Sequence, residues 1–468
     1  MKISIIGLGK LGAPMAAVMA YKGQTVIGVD VNPAFVTALQ QGRPPVKEPG
    51  LAEMIRDSRK RLSATQDYEA AILESDITFI IVPTPSDPGG MFSMRYVVQA
   101  AARIGGALRK KTGWHLVVLS STVMPGATES VLLPELEAHS GKKCGRDFGL
   151  CYNPEFIALG SVIHDMLNPD MILIGESDAR AGQTLASLYT SLCESNPQIQ
   201  RMNFVNAELT KLSVNTFVTT KISYANMLSQ LCETLPGADV DIVTAAIGCD
   251  SRIGGEYLRG ALGYGGPCFP RDNVAFTALA RTNGVQALLA EATDAINRQQ
   301  VPRIAKLILS HLPEGGTVGV LGLAYKPNIA VIEESQGTGL ARHLLKAGVR
   351  VVVYDPAAME NAKAMLIGRV TFAKDTVSCA QQADVLAITI PWAEFRNLRS
   401  SDLKPGSTVL DCWRILPADV SASGITLLRL GVGASAGDVT DSPDTEEAEM
   451  SLAAGADERR SLETGNAD

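Results

Sequence analysis

Short apolar runs bounded by glycine and polar clusters alternate with stretches of helical spacing through the amino-terminal part of the chain. Ile3-Ser4-Ile5-Ile6 reads as a strand, the stretch after a glycine loop as an Ala/Met helix to about Tyr21, and Thr25–Asp30 as the next strand. Ile77–Val82, a helix near Met94–Leu108, His115–Leu119 and Met171–Ile174 continue the series. Apolar strands alternating with helices predict a parallel sheet covered on both faces. From about Phe204 to Leu235 the period changes to one long helix that ends at Pro236-Gly237. Helical sequence follows at Val240–Ile247, Val274–Thr282 and Leu288–Leu312. Beyond Pro313-Glu314-Gly315-Gly316 a second α/β series opens, with strands at Thr317–Gly322, Val349–Tyr354, Val385–Ile390 and Thr408–Asp411 and a helix at Gly337–Ala347. No repeat of fixed period joins the two ends. The predicted architecture is α/β, two doubly wound domains at 1–200 and 301–433 joined by a helical middle at 201–300.

Length and composition agree with several domains: 468 residues, 46% hydrophobic and 19% charged. No apolar run approaches the roughly 20 residues of a membrane helix. The start, Met1-Lys2-Ile3-Ser4, has one basic residue and runs into a glycine loop instead of a cleavage site, so a cytoplasmic protein is expected. The net charge of −7 is concentrated in residues 434–468, where ten acids face two bases. The rest is near neutral, which argues against general nucleic-acid binding. The tail, poor in aromatics and rich in Ala, Gly, Ser, Asp and Glu, has the composition of a disordered segment. Eight scattered cysteines form no C-x-x-C pair or metal-ligand cluster, so no metal is expected.

Gly7-Leu8-Gly9-Lys10-Leu11-Gly12 is G-x-G-x-x-G between a strand and a helix, the placement of a Rossmann-like phosphate turn. Gly7 permits the turn, Gly9 lets the backbone approach a pyrophosphate, Gly12 permits close helix packing, and the helix start offers free N–H groups. Asp30 closes the second strand where a carboxylate accepts from a ribose 2′-hydroxyl and repels a 2′-phosphate, so NAD is favoured over NADP. Pro83-Thr84-Pro85 and Ser120-Ser121-Thr122 leave the carboxyl edge beside the expected nicotinamide. Glu208, Lys211 and Asn215 share one face of the long helix. Gly263-Tyr264-Gly265-Gly266 before Cys268 suggests a backbone that approaches a ligand closely, with a thiol just beyond it. Asp272 lies four residues on, on the same side if a helix has begun.

These segments, with Asn153-Pro154-Glu155-Phe156, Asp250-Ser251-Arg252-Ile253-Gly254 and Gly322-Leu323-Ala324-Tyr325-Lys326-Pro327, resemble the UDP-glucose/GDP-mannose 6-dehydrogenase family in order over residues 1–415. The resemblance implies four-electron oxidation of a nucleotide sugar's C6 alcohol to a carboxylate with two NAD, through a thiohemiacetal and a thioester on Cys268. It implies oxyanion stabilisation by Lys211 and Asn215, proton and water handling by Asp272 and Glu155, and Thr122 beside the nicotinamide. For the cofactor it implies Gly7, Gly9, Lys10, Leu11, Gly12, Asp30, Pro83, Thr84 and Thr122. For the sugar and uridine it implies Glu155, Phe156, Lys211, Asn215, Arg252, Tyr257, Gly263, Tyr264, Gly265, Lys326 and Arg414. A homodimer is implied, its core the long helix and its Arg252 reaching the neighbour's site.

Four positions depart from the family pattern. Leu159 stands where a glutamate is usual, Glu333 where an arginine usually neutralises the pyrophosphate, and Met124 where a proline is usual. Asp411-Cys412-Trp413-Arg414 matches its stretch loosely. UDP-glucose, giving UDP-glucuronate, is the expected substrate, because the glycine run lacks the Gly-Gly-His-Cys form of N-acetyl sugar oxidisers. GDP-mannose or a UDP-N-acetylhexosamine is the alternative. β-Hydroxyacid dehydrogenases share the fold and the lysine but lack the thiol. A nucleotide-sugar-binding homologue without catalysis is a third reading, motivated by Leu159 and Glu333.

Overall fold

The computed structural model describes residues 1–434 apart from Arg369, Ala422 and Ser423. The acidic tail read from residue 434 onward lies, after that residue, outside the described residues. In sequence order the first sheet comprises β1 (Lys2–Ile6), β2 (Thr25–Val29), β3 (Leu62–Thr65), β4 (Ile77–Ile80), β5 (His115–Leu119), β6 (Phe148–Tyr152), β7 (Met171–Glu176) and β8 (Gln198–Met202). Its spatial order is β3-β2-β1-β4-β5-β6-β7-β8. Every pairing is parallel except β6 with β7, which meet antiparallel at Cys151↔Glu176 and Tyr152↔Gly175. The second sheet comprises β9 (Thr317–Leu321), β10 (Arg350–Tyr354), β11 (Val370–Phe372), β12 (Val385–Ile388), β13 (Thr408–Asp411) and β14 (Thr426–Arg429). It is parallel throughout, in the order β11-β10-β9-β12-β13-β14.

The central strands β4, β5, β6, β12 and β13 are buried at every residue. Helices cover both faces, so these strands show no polar alternation, as parallel sheets require. Each sheet has an apolar core on either side. The architecture is the expected pair of Rossmann-like domains joined by helices. Several edge elements escape the apolar pattern. β8 (Gln-Ile-Gln-Arg-Met) is largely polar, and β11 spans only three residues.

The middle helix spans Phe204–Thr234, opened by Asn203, whose side chain accepts from the Asn206 amide. Helices Phe269–Thr282 and Leu288–Ser310 pack against it. The first of these begins five residues before the predicted Val274. Pro270 sits in its first turn, where the missing N–H would have no partner anyway, so the Gly/Pro run is half turn and half helix. Helix Leu288–Ser310 runs on into the second sheet domain, burying Ile304, Ala305 and Ile308 in its core. No helix among the described residues is long and apolar enough to cross a membrane.

Candidate active site

The first glycine turn is shaped by sterics that differ at each glycine. Gly7 has φ +101°, and a Cβ there would strike the Ile81 carbonyl. A Cβ on Gly12 would strike the Gly7 carbonyl, whereas nothing stands within 4 Å of the Gly9 position. Open space lies before Gly9, and no side chain caps the following helix Gly12–Tyr21. Lys10 is exposed and Leu11 half-buried beside it. The Asp30 carboxylate accepts from the Leu8 and Asn32 amides, both at 2.7 Å, one on each oxygen. An uncapped helix start with room for a pyrophosphate and a carboxylate at the next strand end fit a dinucleotide.

Beyond this turn the loops after β4 and β5 are tied together. Ser121 Oγ accepts from the Val82 amide at 2.9 Å and donates to the Val82 carbonyl at 2.7 Å. Thr84 Oγ1 donates to the Thr122 carbonyl at 2.6 Å, so that hydroxyl is engaged within the protein; Pro83 precedes it. Glu208 is fully buried, and its carboxylate accepts from the Gly126 and Thr128 amides at 2.6 and 2.8 Å. Its alignment with Lys211 therefore reflects anchoring of the loop after β5.

Four of the expected groups converge where the middle helix faces the start of helix Phe269–Thr282. Lys211 Nζ donates to the Glu155 carbonyl at 2.7 Å and lies 4.5 Å from the Phe156 ring centre. Burial holds the Lys211 ammonium below its usual range, against the pull of Asp272, Cys268 and Glu155. Asn215 Nδ2 donates to Asp272 Oδ2 at 2.6 Å. Asp272 is buried, and its other oxygen, Oδ1, has no close hydrogen-bond partner but faces the Arg271 guanidinium at 3.5 Å. Burial raises its carboxyl, opposed by Arg271 and Lys211. The Asp272 amide donates to the Cys268 carbonyl at 2.8 Å, the helical i+4 link the spacing anticipated. Cys268 occupies the N-cap of that helix. The residue is exposed, yet enough protein surrounds the sulfur that burial raises the thiol, with Asp272 and Glu333 adding and Lys211 and Arg271 opposing. The set offers sulfur, ammonium, amide and carboxylate around one opening, the complement needed to attack a carbonyl and steady its oxyanion.

The glycines before the cysteine have a different reason from the one their sequence suggested. A Cβ on Gly263 would meet the Asn297 and Gln336 side chains, one on Gly265 the Glu334 carbonyl, and one on Gly266 the Tyr325 ring. Their space is filled by protein, chiefly the connection after β9. The Gly266 amide donates to the Glu333 carbonyl at 2.9 Å, and Asn297 brackets Tyr264 by accepting from its amide and donating to its carbonyl. Leu159 packs against both the first-domain core and the core that holds Ile329 and Ile332. Gly160 lies against Ile329, so Leu159 and the apolar stretch 329–332 form one seam between the two domains.

Other expected residues stand apart. Arg252 is 87% exposed and forks onto Asp250. Tyr257 takes φ +63° and lies edge-on to Phe269, as does buried Tyr264. Lys326 is half-buried near Asp165 and Glu48, with burial lowering its ammonium. Arg414 is 5% exposed, paired with Asp241 at 2.7 Å and bonded to the Gly260 and Leu430 carbonyls, so it clamps β14 and the helix Val240–Gly248. Sequence reasoning missed Arg271, which donates to the Thr84 carbonyl at 2.9 Å and lies 4.3 Å from the Phe92 ring centre. It missed Glu48, whose carboxylate accepts from the Gly160 and Val162 amides. Tyr189, bonded to Asn153 and Glu155, was also missed. Arg271 stood between two chosen residues, but nothing local marked Glu48 or Tyr189.

Comparison with known proteins agrees with this geometry along the chain. Residues 1–193 match the NAD binding domain of the UDP-glucose/GDP-mannose dehydrogenase family, residues 205–299 its central domain and residues 319–418 its UDP binding domain. The chain is 39% identical over 402 residues to the UDP-glucose 6-dehydrogenase AglM of Haloferax volcanii, covering 85% of this chain and 93% of that protein. It is 34% identical over 359 residues to a GDP-mannose 6-dehydrogenase of Azotobacter vinelandii, covering 76% and 81%. A solved UDP-glucose dehydrogenase from Pyrobaculum islandicum superposes with a TM-score of 0.84 at 37% identity, over 92% of this chain and 98% of that one.

Proposed function

The chain belongs to the UDP-glucose/GDP-mannose dehydrogenase family and is an NAD-dependent nucleotide-sugar 6-dehydrogenase, and we propose that it oxidises UDP-glucose at C6 to the uronic acid. The observation that carries the reading is the meeting of Cys268, Asp272, Asn215 and Lys211 at one opening beside the loop that bears Thr122. The longer match, at higher identity, to a UDP-glucose relative than to a GDP-mannose one favours UDP-glucose. In this reading residues 1–200 hold NAD, residues 201–300 carry the thiol and the dimer contact, and residues 301–433 hold the uridine diphosphate, with Lys326 contributing. Arg414, expected there as well, is committed to Asp241 and two backbone carbonyls and braces that domain instead.

Gly7, Gly9, Lys10, Leu11, Gly12, Asp30, Pro83, Thr84 and Thr122 would hold NAD, and two NAD bound in succession would each supply the acceptor for one hydride from C6. Asp272 and Glu155 manage protons and water while Lys211 and Asn215 hold the substrate oxygen. The first hydride loss leaves an aldehyde. Cys268 sulfur bonds to that carbon, and the oxyanion so formed faces Lys211 and Asn215 at the positive end of helix Phe269–Thr282. Loss of the second hydride gives the thioester. Water adds to it, the C–S bond breaks, and the acid leaves with the thiol restored. Phe156, Arg252, Tyr257, Gly263, Tyr264 and Gly265 shape the sugar end.

A homodimer fits the middle helix. Leu209, Phe217, Tyr224, Met227 and Leu231 lie 40–63% exposed along one stripe of it, a large apolar face at helical spacing. Arg252, exposed apart from its fork onto Asp250, then reaches a second copy's site. NADH yield decides the function: two NADH per UDP-glucose are expected, and Cys268→Ala should abolish acid formation while leaving a trace of alcohol oxidation. Two NADH from GDP-mannose or UDP-N-acetylglucosamine, with none from UDP-glucose, would reassign the substrate, and no turnover with any of the three would overturn the enzymatic reading.

A further inference from the structure

The Glu155 carboxyl, expected to handle protons, sits in surroundings unlike those of Asp272. The carboxyl enters a small apolar cavity walled by Met15 and Met19 of the glycine-turn helix, Met166, Ile172 and Leu192. Tyr189 lies there with it. Its hydroxyl stands 2.6 Å from Asn153 Oδ1 and 3.1 Å from Glu155 Oε1. The Asn153 amide is oriented by its other end, because Nδ2 donates to the Leu173 carbonyl at 2.9 Å. Oδ1 therefore accepts.

A phenol has one proton to give. Here it stands between two oxygens, an amide oxygen that can only accept and a carboxyl oxygen. The shorter contact takes the proton to Asn153. The contact to Glu155 is then a hydrogen bond only if the carboxyl supplies the proton and the phenol oxygen accepts it. Two acceptors facing one donor would leave a buried repulsive pair, whereas the protonated acid completes the chain.

We infer that Glu155 rests as a carboxylic acid, heading a relay from Glu155 to Tyr189 to Asn153 to the Leu173 carbonyl, with Tyr189 as the positioning residue that holds it protonated. The inference rests on Glu155 belonging to the active site as proposed above. It settles a division of labour that sequence left open: Glu155 enters turnover as an acid, and base duty at the alcohol falls to Asp272 or Lys211.

The surroundings agree. The wall residues from the glycine-turn helix and from the Met166–Ile172 stretch are Met15, Val18, Met19, Met166, Pro169 and Ile172, none of them titratable, and the neighbouring Asp170 is exposed. The helix Ala179–Leu192 contributes Tyr189, and the next residue is Cys193, whose thiol Glu155 helps to raise. The middle helix contributes Lys211, which bonds the Glu155 carbonyl and opposes protonation of the acid. Burial outweighs that pull, together with the same pull that a hydrogen bond donated by Tyr189 to a carboxylate would add, and lifts the carboxyl to about 7.

Isotope-edited infrared spectroscopy of the intact protein, with Glu155→Gln as the subtraction, reads the proton directly and needs no turnover. At about pH 6 the wild type should show a carboxylic-acid C=O band that the variant lacks, titrating away near neutrality. Tyr189→Phe removes the phenol oxygen that accepts from the acid, so its midpoint should fall by roughly one pH unit or more. Absence of the band would overturn the inference. So would an upward shift in Tyr189→Phe, because it would mean that the hydroxyl donates to a carboxylate. If Tyr189→Phe does not fold, thermal midpoints of wild type and Glu155→Gln decide. A carboxyl raised in the folded state stabilises at low pH and loses that contribution as pH climbs toward 7. The wild type should therefore lose ground to the variant between about pH 5 and 8, and parallel curves would overturn the inference. A failed UDP-glucose assay leaves both readouts intact.

Discussion

The two sheet domains are built on one plan and put it to different uses. Each begins with a strand followed at once by a glycine of large positive φ, Gly7 at +101° and Gly322 at +106°. Each follows with a helix glycine whose Cβ would strike that first glycine's carbonyl, Gly12 and Gly337. Each second strand is followed by an aspartate bonded back to the first turn, Asp30 to Leu8 and Asp355 to Leu323. Even the amino edges agree, since Asp76 accepts from the Lys2 amide and Asp384 from the Thr317 amide. The difference lies between the paired glycines. The first connection is short and leaves open space at Gly9. The second carries Leu323–Gln336, which folds outward to press on the cysteine's glycine turn. One turn is a cradle, and the other is a brace.

The aspartates show the same division. Asp30 takes one backbone amide on each oxygen, leaving acceptor capacity toward the open turn. Asp355 is buried and accepts from four amides, those of Leu323, Ala324, Ala357 and Ala358, with the Trp392 indole beside it at 3.3 Å. Asp355→Ala should therefore destabilise the second domain by about 4 kcal/mol, since several buried donors lose their partner at roughly 1–3 kcal/mol each. Asp30→Ala deprives only two amides, one of them exposed, so it should cost less, about 1–2 kcal/mol, while raising the KM for NAD about tenfold. Urea melts followed by Trp392 and Trp413 fluorescence, beside NAD titrations, separate the two outcomes. Equal loss of stability in both variants would break the comparison.

The amino edges differ in one buried group. His115 opens β5 in the first sheet, bonded through Nε2 to Thr78 Oγ1 at 2.8 Å and through Nδ1 to the Ser75 carbonyl at 3.1 Å. The matching place before β13 is Ser407, buried with its hydroxyl unpartnered. Burial drives His115 down to about 3, with Lys111 adding in the same direction. The folded state thus holds a neutral imidazole that the unfolded chain protonates below about pH 6.5. Its stabilisation is present above that value and is lost as pH falls toward 3. The first domain should lose about 2 kcal/mol between pH 7 and pH 5 on this account. Asp384, held low by Lys404, gives the second domain no such loss in that window. Trp114 fluorescence should report the earlier acid transition, and His115→Gln should flatten its pH dependence.

What the sequence disclosed follows from the range of the forces involved. The glycine turn, most of the parallel strands and the middle helix are set by local sterics and by apolar spacing and were legible, whereas β3, β8, β11 and β14 were not. The face shared by Glu208, Lys211 and Asn215 was legible as geometry but not as purpose. Nothing within a few residues says that Glu208 caps a loop near Gly126 while Lys211 meets Glu155. The glycines before Cys268 misled for the same reason. Glycine reports close approach without saying whether a ligand or Tyr325 approaches. Tyr189 and Glu48 act over long sequence separations, through contacts that only the folded chain creates.

The brace itself supplies the smallest and sharpest test. Glu333 sits in the connection after β9, its carbonyl bonded to Gly266 and its carboxylate among the charges that raise the Cys268 thiol after burial and Asp272. A negative charge there opposes both thiolate formation and a bound pyrophosphate, so the position matters only if the brace overlooks the chemistry. Glu333→Arg reverses the charge on an exposed side chain and leaves the backbone bond to Gly266 in place. Its thiol should alkylate with iodoacetamide several-fold faster at about pH 7.5, and its KM for NAD should fall by a similar factor, with unchanged melting temperature. These are modest effects because an exposed charge acts through solvent, and added salt should shrink both. A matching reversal on the first domain's exposed turn, Lys10→Glu, should weaken NAD binding without touching the alkylation rate. If the two substitutions instead moved the same observable, cradle and brace would be one site, and the division between the domains would fail.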